Sequence, residues 1–157
     1  MIDRWRKFFR LSRRERSLLG LALLLLPVTA LALRVIGFRR LQTALRGIPI
    51  GSETPSANGA IEQAQRTARM VSIAARRGLC HANCLPRSLV LWVLLRRQAI
   101  ESDLRIGVRK ENGKFEAHAW IEIHGAALND LADVGLHFAP FAGPIDLTAR
   151  QLGAKFQ

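Results

Sequence analysis

Three residues have side chains whose types and order in the chain suit nucleophilic catalysis: Cys84, His118 and Asp130. A thiol becomes a strong nucleophile when a neighbouring imidazole takes its proton, and a carboxylate can hold that imidazole in the required tautomer and orientation. A helix N-terminus also favours the thiolate, because its unpaired backbone N–H groups carry partial positive charge. The set predicts acyl transfer through a thioester, which needs no cofactor and no metal.

Cys84 opens a segment that the apolar pattern predicts to be a buried helix. The polar residues 80–83 interrupt the preceding periodicity. Pro86 fits a first helical turn, where its missing N–H leaves no bond unmade. Apolar residues then recur at helical spacing, namely Leu85, Leu89, Trp92 and Leu95. We therefore expect the thiol at the amino end of this helix.

The two partner residues follow on predicted hairpins. Residues 103–110 and 114–123 alternate as strands do, and residues 111–113 have the composition of a turn. A second reversal is predicted at His124 and Gly125. If residues 123–125 form a three-residue turn, His118 and Asp130 are opposed across two strands, about 5 Å apart on one face. Asp133, three residues on, is the alternative carboxylate.

These segments also carry a resemblance to a known family. The runs CLPRSLVLWVLLRRQAI, LRIGVRK, AHAWIEIHG and LND resemble the leader peptidase of lasso-peptide biosynthesis, which is the transglutaminase-like half of the B protein and occurs as a separate chain in split systems. The resemblance implies an α+β, papain-like or transglutaminase-like core in which a nucleophile helix packs on a small antiparallel sheet. It implies that Cys84 is the nucleophile, His118 the base and Asp130 its orienting group.

The same resemblance implies a function and partners. The expected function is cytoplasmic removal of the leader from a ribosomally synthesised precursor peptide, with a separate leader-binding protein and a lasso cyclase as partners. Two alternatives stay open: a transglutaminase-like acyltransferase that uses the same triad, and a non-catalytic, membrane-associated adaptor. Nucleic acid is not an expected partner, because the basic residues flank an apolar run instead of lining a polar surface with aromatic residues.

The 157 residues divide by composition. Residues 1–46 form a basic, hydrophobic helical arm, residues 47–59 a linker rich in Gly and Pro, and residues 60–157 the expected catalytic domain, opened by a helix over 60–77. The net charge is +12, and residues 1–50 hold 11 basic and 2 acidic residues. Most of the positive charge therefore belongs to the arm.

The arm contains 17 uncharged residues, 17–33, interrupted by Pro27. Ser12 and Glu15 have capping-box spacing and predict where its helix starts. The run would extend about 26 Å as a helix, slightly less than the roughly 30 Å of bilayer hydrocarbon. Packing against protein, membrane association and a secretory signal are all consistent with this composition.

The spacing of Cys80, His81 and Cys84 raises two further interpretations. Zinc would need a further matching pair of ligands, unless His118 is recruited. A Cys80–Cys84 disulfide would block the proposed nucleophile and is disfavoured in a reducing cytoplasm. We expect Cys80 to be a bystander thiol.

Overall fold

The computed structural model describes residues 11–52, 55–78, 83–111, 113–130 and 133–140. The elements run in chain order α1 (Arg13–Val35), α2 (Gly37–Arg46), α3 (Ala57–Arg77), α4 (Cys84–Arg96), β1 (Asp103–Glu111), β2 (Lys114–Ile123), β3 (Ala126–Ala127), α5 (Val134–His137) and β4 (Ala139–Pro140). The strands form one antiparallel sheet in the order β3-β2-β1-β4. The predicted α+β architecture is confirmed.

Helix α4 lies at the centre of the fold. It packs against β1 and β2 on one side and against α1 and α3 on the other. This position explains why its residues are apolar nearly all round, with Leu89, Leu91 and Leu95 fully buried. The sheet contributes Leu104 and Ile121 to the same core. The predicted packing of a central helix on a small antiparallel sheet is therefore observed.

Helix α1 begins at the predicted capping box. The backbone N–H of Glu15 donates to Ser12 Oγ over 3.2 Å, and the backbone N–H of Ser12 donates to Glu15 Oε2 over 2.8 Å. The helix continues through Pro27, contrary to the expected interruption. Tertiary packing offsets the hydrogen bond that proline removes, because Leu26 is buried in the core beside it.

The described part of the predicted arm, residues 11–46, contains two helices. The chain turns at Gly37, whose φ of 76° favours glycine, and α2 follows. Helix α1 packs against α3 and α4. Packing against protein was one of the three interpretations of residues 17–33. Arg13–Val35 is also the one described helix that is long and apolar enough to cross a membrane, although buried core helices and signal sequences share those properties.

The predicted linker is bonded to the end of α4. The backbone N–H of Gly51 donates to the Arg96 carbonyl oxygen over 3.1 Å, and Arg96 Nε donates to the Ile48 carbonyl oxygen over 2.8 Å. Its last three residues, 57–59, belong to α3, which ends at Arg77 as predicted. The first part of the linker is thus tied to the C-terminal end of α4.

Candidate active site

Cys84 is the first residue of α4, as predicted. Asn83 precedes the helix in extended backbone geometry, and the first helical bond runs from the Arg87 N–H to the Asn83 carbonyl oxygen. Pro86 lies inside the first turn, where backbone N–H groups have no intrahelical acceptor. The thiol is partly exposed and is not in a disulfide. The Cys84 backbone N–H likewise has no intrahelical acceptor.

His118 lies in the middle of β2, opposite Gly107 of β1. Its Nε2 is hydrogen-bonded to Asp130 Oδ2, and both side chains are about one quarter exposed. Because the carboxylate occupies Nε2, Nδ1 is the ring nitrogen left to exchange a proton with a thiol. Asp133 bonds instead to His137, with 3.1 Å between Oδ2 and Nε2. The structure therefore joins His118 to Asp130 and not to the alternative carboxylate.

The predicted turn register was wrong by one residue. Glu122 pairs with Ala127 and Ile123 with Ala126, so the loop has two residues, His124 and Gly125. Both have positive φ, 50° and 80°, as in a type I′ turn. If the pairing of β2 with β3 continued in this register, Asp130 would lie opposite Ala119 and not opposite its neighbour His118.

The side chain of Asn129 explains how Asp130 still reaches His118. Strand β3 ends at Ala127, and Asn129 Oδ1 accepts the backbone N–H of Ile121 over 2.7 Å. A side-chain acceptor thus replaces the carbonyl oxygen that a longer β3 would supply. The chain bends away from the sheet at this point, and the next residue, Asp130, meets the imidazole.

Ser88 links the three segments that carry Cys84, His118 and Asp130. Its buried hydroxyl donates to the Ala119 carbonyl oxygen over 2.9 Å and accepts from Asn129 Nδ2 over 3.1 Å. Ala119 follows His118, Asn129 precedes Asp130, and Ser88 is about one helical turn from Cys84. One buried hydroxyl therefore fixes the helix that begins with Cys84 against the segments of His118 and Asp130.

Aromatic rings flank His118. Phe138 stacks on the imidazole with 4.9 Å between centroids, and Trp120 lies at 6.2 Å. The buried Trp120 indole N–H donates to Glu122 over 2.8 Å. A Cβ on Gly107 would lie 3.0 Å from both Phe138 Cβ and Trp120 Cη2, so the glycine permits this close packing.

An ion-pair cluster holds the outer side of Phe138. The Arg109 guanidinium lies 4.8 Å from the Phe138 ring centroid and bonds to Glu116 and Glu111. The hydrogen bond that Arg109 donates to the Glu116 carboxylate is the main cause that raises the pKa of Arg109 above its usual range. The charged cluster therefore positions the ring that packs on His118.

A groove of about 470 Å³ adjoins Asp130. One wall is residues 128–130, and the other is a stripe of α3 that includes Gln65, Arg69, Ser72 and Arg76. Arg69 and Arg76 are exposed, and neither has an ion pair with another described residue. The groove offers two cationic groups beside the Asp130 carboxylate.

Ser88, Asn129, Gly107 and Phe138 were not assigned site roles from the sequence. Ser88 could have been given such a role, because a hydroxyl amid the apolar residues of a buried helix needs a hydrogen-bond partner. In the described part of the chain, no three His, Cys, Asp or Glu side chains cluster as metal ligands would. Cys80 and His81, which raised the zinc and disulfide interpretations, lie outside the described residues.

The comparisons with known proteins give one match. Residues 22–142 match the family described as the transglutaminase-like superfamily. No curated protein and no solved structure matched the chain. The matched range begins within α1 and includes α4, the sheet and all three candidate catalytic residues. Because it covers more than half of the sequence, the chain belongs to the transglutaminase-like superfamily.

Proposed function

We propose that this protein is a cysteine peptidase that removes the leader from a ribosomally synthesised lasso-peptide precursor. The observation that carries the catalytic part of the proposal is the hydrogen bond between His118 and Asp130. Ser88 bonds the segments of both residues to the helix that starts with Cys84. Superfamily membership supports cysteine-dependent acyl chemistry. The CLPRSL and AHAW motifs support the choice of substrate through their resemblance to the lasso leader peptidases.

The proposed reaction has two steps. His118 Nδ1 takes the proton of the Cys84 thiol, and Sγ attacks the carbonyl carbon of the scissile peptide. When the tetrahedral intermediate collapses, the C–N bond breaks and the imidazolium gives its proton to the departing amine. Water, deprotonated by His118, then attacks the thioester, releases the leader carboxylate and restores the thiol.

The Cys84 backbone N–H is the first proposed donor to the oxyanion, because it lies at the helix start beside the reacting sulfur. The candidates for the second donor are the side-chain amides of Asn83 and Gln65. The Asn83 side chain makes no capping bond, and Gln65 lines the groove beside Asp130. Both amides therefore remain candidates, and Gln65 is the one on a wall that a peptide in the groove would touch.

The groove along α3 is the proposed binding site for part of the precursor. Arg69 and Arg76 would favour carboxylate side chains there. Replacing both by Gln should raise KM about tenfold for a precursor with acidic residues, with little change in kcat, because the two arginines bind substrate without joining the chemistry. Arg39→Gln/Arg40→Gln, exposed on α2, is the matched control. An equal KM for the two double variants would remove the groove from the proposal.

Mass spectrometry of a precursor incubated with the purified protein and a leader-binding protein tests the activity. We expect two fragments whose summed mass exceeds that of the precursor by one water. A product carrying an added amine would identify the acyltransferase alternative, and an unchanged precursor would favour the non-catalytic adaptor. Cys84→Ala should lower the rate at least about a thousandfold, whereas Cys80→Ala is the matched cysteine control.

The proposed partners follow from the same resemblance. The protein would act in the cytoplasm, with a separate leader-binding protein that delivers the precursor and a cyclase that uses the released core. Omitting the leader-binding protein from the assay should slow cleavage without abolishing it at high precursor concentration, because the catalytic groups all lie on this chain. No change on omission would argue against that partner.

A further inference from the structure

Helix α1 has an apolar face that no described part of the chain covers. Leu24, Val28, Leu31 and Val35 are between 54% and 71% exposed. Their spacings of four, three and four residues align them along one side of a helix. We call these four residues the outer stripe. A contiguous patch of large exposed apolar side chains usually marks a site that binds a protein, a membrane or a ligand.

The outer stripe lies opposite the face that joins the core. Leu19, Ala22 and Leu26 are the buried residues of α1. At 3.6 residues per turn, their mean direction is about 180° from that of the outer stripe. The exposed side chains therefore cannot turn inward unless α1 leaves α3 and α4, which would expose the buried three.

Charge around the stripe indicates what covers it. Residues 13–46 contain seven arginines and a single acidic residue, Glu15. Arg13 and Arg14 are exposed at one end of α1, and Arg34, Arg39 and Arg40 are exposed at or beyond the other. In a dimer formed through this stripe, parallel or antiparallel, arginines of one copy would face arginines of the other. An anionic lipid surface instead accepts both the hydrocarbon and the charges.

We propose that α1 binds flat on an anionic lipid surface, with the outer stripe among the upper acyl chains and the exposed arginines at both ends on the headgroups. A spanning orientation is disfavoured because Leu19, Ala22 and Leu26 belong to the protein core. This surface is separate from the catalytic residues, so the proposal stands or fails independently of the peptidase activity.

Vesicle flotation of the purified full chain tests the proposal. We expect the protein to float with phosphatidylcholine vesicles that contain about one third phosphatidylglycerol, and much less with phosphatidylcholine alone. Leu24→Gln/Leu31→Gln keeps the charge and should weaken binding about tenfold or more, because it removes apolar contact. Ile50→Gln/Ile61→Gln, two exposed isoleucines outside α1, should bind as the parent does. Thermal unfolding of each variant verifies that the fold is kept.

Five outcomes would overturn the proposal. Four of them are a lack of flotation with both kinds of vesicle, equal flotation of the outer-stripe variant and the parent, flotation that needs an added acidic protein, and retention after an alkaline carbonate wash. The last would indicate a spanning helix, since a protein lying on the surface is released. Light scattering that shows a dimer which the outer-stripe variant dissolves would assign the face to a second copy instead.

Discussion

The Ser88 hydroxyl accepts a hydrogen bond from Asn129 Nδ2, with 3.1 Å between the two atoms. The same hydroxyl donates to the Ala119 carbonyl oxygen. Neither Ser88 nor Asn129 is proposed to take part in the chemistry, yet their bonds join the helix of Cys84 to the neighbours of His118 and Asp130. The alignment of the proposed triad therefore depends on one buried polar contact.

Ser88→Ala should lower both stability and turnover. Losing the hydroxyl leaves the Ala119 carbonyl and the Asn129 amide short of a partner, at a cost of about 1–3 kcal/mol in the free energy of unfolding. Thr67→Val is the matched control, because the Thr67 hydroxyl is equally buried and bonds to Gln63 and Gln98. Denaturant unfolding should show similar losses for both variants, whereas only Ser88→Ala lowers kcat. Equal kcat losses would make Ser88 merely structural.

Asp130→Asn should reduce kcat at least about tenfold, because an amide no longer stabilises the imidazolium and can enforce the other tautomer. Asp133→Asn is the matched control, since Asp133 belongs to the second His–Asp pair, with His137. Steady-state cleavage rates of the two variants decide the assignment. A greater loss for Asp133→Asn would show that Asp133 is the orienting carboxylate.

Gly107→Ala should displace Phe138 and Trp120 from the His118 ring. The added Cβ would meet both at 3.0 Å, and such overpacking costs about 1–3 kcal/mol. Gly135→Ala meets nothing within 4 Å and serves as the control. We expect Gly107→Ala to lower the rate of cleavage, because the aromatic contacts position the His118 imidazole. An unchanged rate would mean that Phe138 does not position His118.

Acid should weaken the start of α1. The backbone hydrogen bond with Ser12 is the main cause that lowers the pKa of Glu15 below 4.5. A carboxyl group whose pKa is lower in the folded state stabilises the protein at pH values above its unfolded-state pKa. That stabilisation is lost as the pH falls through the folded-state pKa. Glu15→Gln keeps the capping-box geometry and should reduce Tm by a few degrees at about pH 7 and by less at about pH 3. The exposed Glu101→Gln is the control, and a pH-independent difference in Tm would contradict the linkage.

Local patterns in the sequence were sufficient to predict the helix of Cys84, the first hairpin and the capping box. Each depends on residues close together in the chain: Pro86 in a first turn, alternation along residues 103–123, and Ser12 three positions before Glu15. The order of thiol, imidazole and carboxylate along the chain was also visible in the sequence. Those features determined the α+β class and the candidate residues.

The contact between His118 and Asp130 was predicted, but by the wrong route. The sequence around His124 does not distinguish a two-residue loop from a three-residue loop. It also does not indicate that the Asn129 side chain accepts the Ile121 N–H and ends the pairing of β2 with β3. Ser88 likewise gains its role only when α4 lies on β2. Long-range hydrogen bonds decided the site geometry, because their partners are 8 to 41 residues apart.

The sequence also did not indicate which side of α1 faces the core. Residues 17–33 are apolar on almost every side, so their periodicity does not indicate a buried face. The surfaces of α3 and α4 select Leu19, Ala22 and Leu26 and leave the outer stripe exposed. The sequence alone determined that a basic, apolar helix precedes the candidate catalytic residues. Only tertiary packing decided which half of that helix stabilises the fold and which half is free to bind a surface.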